Sequence, residues 1–489
     1  MKRWGAMPVR GLGDLGAESR MITTPWSRMV RGLGLGQYPV GYDPTVAEHL
    51  RTAFDLIASK LPEVDGYMRF CRLLGTLVLD VTSPCVDVSR LDLTGTVEQI
   101  TSAIRNESNP YYRVSAGCIL LESFAKLRLD TTALINDRND FAQELLSMID
   151  QIGSDNIQDN NAGRHGDYEK IFAYTAVFLS FGHFGIHDRL ISGRRNLIED
   201  SLSILDKIPA PFFRGRAGSM LFSAISSLGY DSFIFDGKRN YLRDTLDYMD
   251  STNSTKISVT FPQPTTPSFQ RIYPLVTMLN AIAMSGRQTY MSYGRDRLSD
   301  MKMYWGELAP PEKAHMSLYY VIALYNLGKL DEQIPDLNRF VEKLVDSLAI
   351  LDPGANFFLH GLSNAYIIET AMLTGRMHLI DETKLTPMVD CFPDLDRSDV
   401  DRVNRPYPFS YALNVLGEVG QLRLLFKPRE KYNGMSPVEW VISHLSDGGR
   451  DEGNRLFMLG NALVSQALRL RYVRARETPI FEKLSYKLS

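Results

Sequence analysis

Seven polar residues stand where short apolar segments begin: His165, Arg214, Arg216, Gln270, Arg271, His315 and His360. Histidine titrates near neutrality and arginine keeps a fixed charge. Gathered in one place, such residues could hold a substrate and move protons. His360, His165 and Arg214 are the catalytic candidates. Arg216, Arg271, His315, Tyr319 and Asn364 are the substrate-binding candidates. The arginines of FFRGRAG carry a further hint, because a cation at a helix N-terminus gains nothing from the helix dipole. A carboxylate or an anionic ligand must offset them.

Other groupings read better as structure. His183 and His187 stand four apart before Asp188 and could share a metal on one helix face. Gly182 and Gly185 put them in a turn instead, as surface or capping groups. Asp394, Asp396, Asp399 and Asp401 lack the central glycine and terminal glutamate of a calcium loop and read as a solvated acidic stretch. Asn136, Asp140 and Glu144 have the spacing of a magnesium–diphosphate triad, but no aspartate-rich partner accompanies them. Gly32, Gly34 and Gly36 alternate as in a nucleotide loop, yet no strand precedes them and no Gly-Lys-Ser or Gly-Lys-Thr follows. Neither metal nor cofactor is expected.

The elements that must position these residues are helices. In TVAEHLRTAFDLIASKL the apolar residues fall at spacings near three and four. The best strand candidate, Ile257 to Pro264, carries prolines that confine it to an edge hairpin or loop. Seven segments share one grammar: a polar or Gly/Pro-bearing start, a short apolar helix, then a glycine or charged stop. They begin at His165, Arg214, Gln270, Ala314, Leu359, Tyr407 and Glu452, the spacing of helix-pair repeats. Each is apolar on nearly all sides and reads as an inner helix, while segments such as DLNRFVEKLVDSLAIL read as outer ones. Gly182, Gly229, Gly286, Gly328 and Gly375 sit where left-handed C-caps would end the inner helices.

The expected fold is therefore all-α: an α/α toroid of about seven inner/outer helix pairs with an N-terminal helical extension. An open solenoid shares the alternation, but its inner helices tend to be more polar. Residues 1–45 read as a Gly-rich arm, 46–155 as helices packing on the toroid, and 156–489 as the toroid itself. Helix beginnings in such a ring face one mouth, which would gather the seven polar residues there.

Bulk properties narrow the function. The 489 residues carry 54 basic and 57 acidic side chains, so no excess of positive charge points to nucleic acid. No long uninterrupted apolar run calls for a membrane span, and no apolar stretch follows the basic N-terminus as in a secretory signal. The four cysteines are far apart and read as buried free thiols in a reducing, cytoplasmic setting.

Residues 359–376, LHGLSNAYIIETAMLTGR, resemble the segment of lanthionine synthetase C-like cyclases in which Cys-His-Gly opens an inner helix ending at Thr-Gly. LFMLGNALVSQALRLRYVRARETPIF, from Leu456, resembles that family's last inner helix and tail. HMSLYYVIALYNLG, 315–328, holds the place of its Trp-Cys motif, and residues 316 and 359 keep about the spacing of the two motifs. The resemblance implies the toroid and a role in maturing a ribosomal precursor peptide. The family's zinc is held by two cysteines and a histidine, and here Met316 and Leu359 stand at the cysteine positions while His360 remains. Neither replacement carries the thiolate charge that holds zinc. A further family histidine is absent near Phe269 and Arg271. The expected function is thus zinc-free assistance to cyclisation of a precursor peptide. The alternatives are a non-catalytic scaffold holding such a peptide for a separate modifying enzyme, and a different toroid enzyme such as a terpenoid cyclase.

Overall fold

The structure is a computed structural model. It describes residues 43–476 apart from 61–65, 84, 87–89, 137–138, 154–165, 193–194, 236–238, 252–265, 349–356, 396–405 and 445–452. The Gly-rich arm to residue 42, the strand candidate at Ile257–Pro264, His165 and most of the acidic stretch after Asp394 lie outside the described residues.

The described chain is mostly helical, as its periodicity predicts. Nine helices are of the apolar kind: α2 (Gly66–Thr82), α4 (Pro110–Leu127), α6 (Gly166–Phe184), α8 (Pro211–Ser227), α11 (Pro267–Met284), α13 (Pro310–Asn326), α16 (Phe357–Leu373), α18 (Pro406–Glu418) and α21 (Gly453–Arg476). Amphipathic helices lie between them: α1 (Pro44–Lys60), α3 (Leu93–Asn106), α5 (Phe141–Asp150), α7 (Leu197–Leu205), α10 (Tyr241–Ser251), α12 (Arg297–Glu307), α15 (Leu337–Ser347), α17 (Glu382–Asp390) and α20 (Pro437–Ser443). Three single turns complete the set: α9 (Ser232–Phe235), α14 (Leu330–Gln333) and α19 (Arg423–Phe426). Two small antiparallel hairpins, Ile135–Asn136 with Asn139–Asp140 and Ile191–Ser192 with Arg195–Asn196, make the only strands among the described residues.

The sequence punctuates the apolar helices at both ends. Proline opens α4, α8, α11 and α13, where its missing N–H costs nothing and its fixed φ suits the first turn. Glycines with positive φ follow six of them: Gly185, Gly229, Gly286, Gly328, Gly375 and Gly420. Gly182, expected as the stop of α6, instead lies inside that helix, where a Cβ would press on Leu228. The helix runs on to Phe184 and stops at Gly185.

Each apolar helix packs on the one before and the one after, and the last, α21, packs on the first, α2. The region expected as an extension supplies α2 and α4 to this same series. Neighbours start side by side. Glu107 accepts from the Tyr67 N–H at the start of α2 (2.9 Å) and from the Asn109 N–H before α4 (2.8 Å). Glu312 likewise accepts from the Thr266 N–H and hydroxyl before α11 and from the Ala309 N–H before α13.

Successive amphipathic helices are joined by a recurring clasp. Arg195, Arg239 and Arg295 each stand one residue before an Asn or Asp that opens an outer helix. Each bonds an aspartate inside that helix: Asp200, Asp244 and Asp300. Each also reaches an aspartate at the end of the preceding outer helix: Asp150 (2.6 Å), Asp206 and Asp250 (3.8 Å).

Among the described residues no helix is long and apolar enough to cross a membrane. Cys71, Cys118 and Cys391 are buried free thiols, whereas Cys85 is exposed, because it falls in the turn after α2.

Candidate functional site

The residues expected at one mouth separate into three places. Arg216, His315 and Tyr319 come together inside the apolar layer. Arg216 projects from the second turn of α8, with its guanidinium 4.3 Å above the Tyr273 ring and 5.3 Å from Phe212. It donates to the Tyr273 hydroxyl at 3.3 Å. That hydroxyl donates to Tyr319 at 2.9 Å, and Tyr319 pairs with Tyr366 at 3.0 Å. Three successive apolar helices thus contribute one tyrosine each to a row of hydroxyls. Tyr411 on α18 continues the row edge-on to Tyr366 at 5.9 Å.

His315, 4% exposed, sits among the rings of Phe269, Tyr273, Tyr319 and Tyr366, and among the described residues its Nδ1 has no hydrogen-bond partner. Burial, helped by the nearby Arg216 charge, pulls its pKa down to about 3. The ring is neutral at physiological pH. Burial also pushes the Tyr319 and Tyr366 hydroxyls well above the usual phenol range. A histidine that does not protonate and phenols that do not ionise are poor acid–base groups near neutrality. Asn364 is buried on α16, as are Glu369 and Thr370 five and six residues further along the same helix.

Arg214, two residues from Arg216, points elsewhere. It bonds Asp206, the carboxylate that also holds Arg239, and lies 4.1 Å from the Tyr248 ring. Asp206 is the offsetting anion that the FFRGRAG segment called for. The Arg214 charge ties the start of α8 to the end of α7. His360 lies in the first turn of α16.

Arg271 lies at a groove of about 370 Å³ between the starts of α8 and α11, the end of α10 and α12. Phe212, Met249, Pro274, Leu275 and Tyr304 form its apolar walls. Arg271, Arg295, Arg297, Asp250 and Asp300 also line it, with Arg297 bonded to Asp250 and Arg295 to Asp300. Pro274, inside α11, cannot donate to the carbonyl one turn back, so the groove-side turn has one backbone bond fewer. Gly215 lets α8 approach beneath, since a Cβ there would meet the Met249 sulfur at 2.8 Å and Pro274 Cβ at 3.0 Å.

The lesser candidates have structural partners. His183 ends α6 with Nδ1 3.5 Å from Glu122, and His187 opens a short 3-10 turn. Asp140 caps α5 and pairs with Arg189, and Glu144 pairs with Arg105. Asp394 pairs with Lys431. Among the described residues no group of three or more His, Cys, Asp or Glu side chains could hold a metal ion.

Sequence reasoning missed Tyr273, Tyr366, Tyr411 and Asp206. The tyrosines had a signal: Tyr273, Tyr319 and Tyr366 are separated by 46 and 47 residues, one repeat each. Asp206 had none, because its two arginines come from different segments.

Comparison of the chain with known protein families, characterised proteins and solved structures finds no match.

Proposed function

We propose that the chain is a closed α/α toroid that binds a polypeptide segment and does not transform it with the residues first expected to be catalytic. Closure is supported by the packing of α21 on α2 and by the shared starts of neighbouring helices. The binding reading rests on one contrast. The described Arg214, Arg216 and His315 are taken up by packing, with Arg214 on Asp206, Arg216 on Tyr273 and His315 buried and neutral, while the groove beside Arg271 is lined by apolar and charged side chains together. A lining that mixes apolar and charged side chains can take the varied side chains of an extended peptide. The likeness of residues 359–376 to peptide-maturing cyclases supports a peptide as the occupant, in the role of a scaffold for a separate modifying enzyme.

The test is an array of synthetic peptides of acidic, basic and Cys/Ser/Thr-rich composition, probed with the full chain. Saturable binding weakened by Tyr304→Ala and Leu275→Asp supports the reading. Binding unaffected by both substitutions would overturn it. So would a mass change in a bound peptide that is lost in His360→Ala, because that result makes the protein an enzyme.

A further inference from the structure

The groove beside Arg271 carries an oxidisable group. Among the described residues Met303 is the one large apolar side chain that stands exposed, at 49%. It belongs to α12 and lines the groove with Leu275 and Tyr304. The buried residues of that helix are Arg297, Met301 and Tyr304, so Met303 lies off the face that α12 packs inward. Two nearby methionines differ from it. Met301, two residues earlier on the same helix, is fully buried. Met249, on the same groove, has its sulfur against α8, where a Cβ at Gly215 would meet it at 2.8 Å. A thioether in contact with water is open to peroxide, and the resulting sulfoxide puts a polar group where a flexible apolar chain had been. On a buried methionine the new oxygen would lack solvent, at a cost in stability. At Met303 water solvates it, and the helix keeps its packing.

We propose that Met303 is a modification site, where hydrogen peroxide converts the thioether to the sulfoxide and so weakens the groove's hold on an apolar segment. The peroxide O–O bond breaks. One oxygen bonds to the sulfur, which gives up an electron pair, and the other leaves as water with both protons. The site stands on exposure and position, and its effect on binding rests on the peptide reading above.

In the experiment the full chain is treated with dilute hydrogen peroxide, quenched with catalase at intervals, and digested for mass mapping. Met303 should gain an oxygen early, and Met301 only once the chain is unfolded. Met303 oxidised no faster than Met301 overturns the site. In parallel, fluorescence anisotropy with a labelled, end-blocked peptide of alternating apolar residues compares treated with untreated protein. Oxidation should weaken binding roughly fourfold or more, the equivalent of about one buried methylene. Met303→Leu, whatever its starting affinity, should show no loss on treatment. Oxidation of Met303 without weaker binding overturns the effect on the groove. A loss that persists in Met303→Leu overturns its assignment to this residue. No binding before treatment overturns the peptide reading, and the mass map alone then decides the site.

Discussion

Tyr67, in the first turn of α2, donates its hydroxyl to the side-chain oxygen of Asn461 on α21, 394 residues later. Both side chains are buried. Tyr67→Phe leaves a buried amide short of a partner and should cost about 1–3 kcal/mol. Joined to Asn461→Leu, the loss should fall well below the sum of the singles. Urea unfolding of the two singles and the double measures it, and strict additivity would mean that the bond contributes nothing.

The same contact depends on Gly460. A Cβ there would stand 2.6 Å from the Cys71 sulfur and 3.2 Å from its Cβ. Gly460→Val should destabilise by about 1–3 kcal/mol through overpacking. Cys71→Ala in the same chain should recover part of that loss in a thermal melt. No recovery would place the strain elsewhere.

Asp206 serves two arginines of unequal burial. The Arg214 side chain is 11% exposed and that of Arg239 is 42% exposed. Arg239→Met should change stability by less than about 1 kcal/mol, as an exposed pair does. Asp206→Asn leaves the Arg214 charge buried without its carboxylate. It should cost roughly 2 kcal/mol, below the figure for fully buried pairs because Asp206 itself is partly in water. Equal effects in denaturant titrations would refute the ranking.

His315 links stability to pH. Its folded pKa of about 3 lies below the ordinary histidine value, so between the two the unfolded chain binds a proton that the folded chain does not. Its contribution is therefore complete above about pH 6.5 and is lost as pH falls toward 3. From pH 7 to pH 5 the loss should be about 2 kcal/mol. His315→Phe should flatten that part of the profile. An unchanged slope in the variant would show that other groups set it.

Adjacent tyrosines on α13 should behave differently. Tyr319 bridges two hydroxyls, whereas Tyr320 stacks on Trp305 at 4.2 Å. Tyr319→Phe should lose about 1–3 kcal/mol by leaving buried partners unmet, and Tyr320→Phe should be close to neutral. The pair shares a helix, so calorimetry of the two variants compares hydroxyls with little else changed.

How much of this was legible follows from the range of each signal. The start and stop of an apolar helix are local, and Pro211, Pro267, Gly229 and Gly286 announce them within a few residues. Gly182 misled because a small residue at a close helix crossing looks the same in sequence as a stop. The direction of a side chain is not local. Arg214 and Arg216 read as one pair, yet two steps along a helix turn a side chain through more than half a circle, and they part toward Asp206 and Tyr273. The apolar layer could be seen, but which polar residues it would enclose could not.

The glycine at residue 460 rests on Met68 and Cys71 of α2, whose synthesis precedes it by most of the chain. On the ribosome, that side of α2 has no cover until α21 emerges. All the apolar helices between the two must therefore be made while that flank is exposed to water, a condition that favours association between nascent chains. Truncated products of this protein should be hard to keep in solution even when their own hairpins are intact.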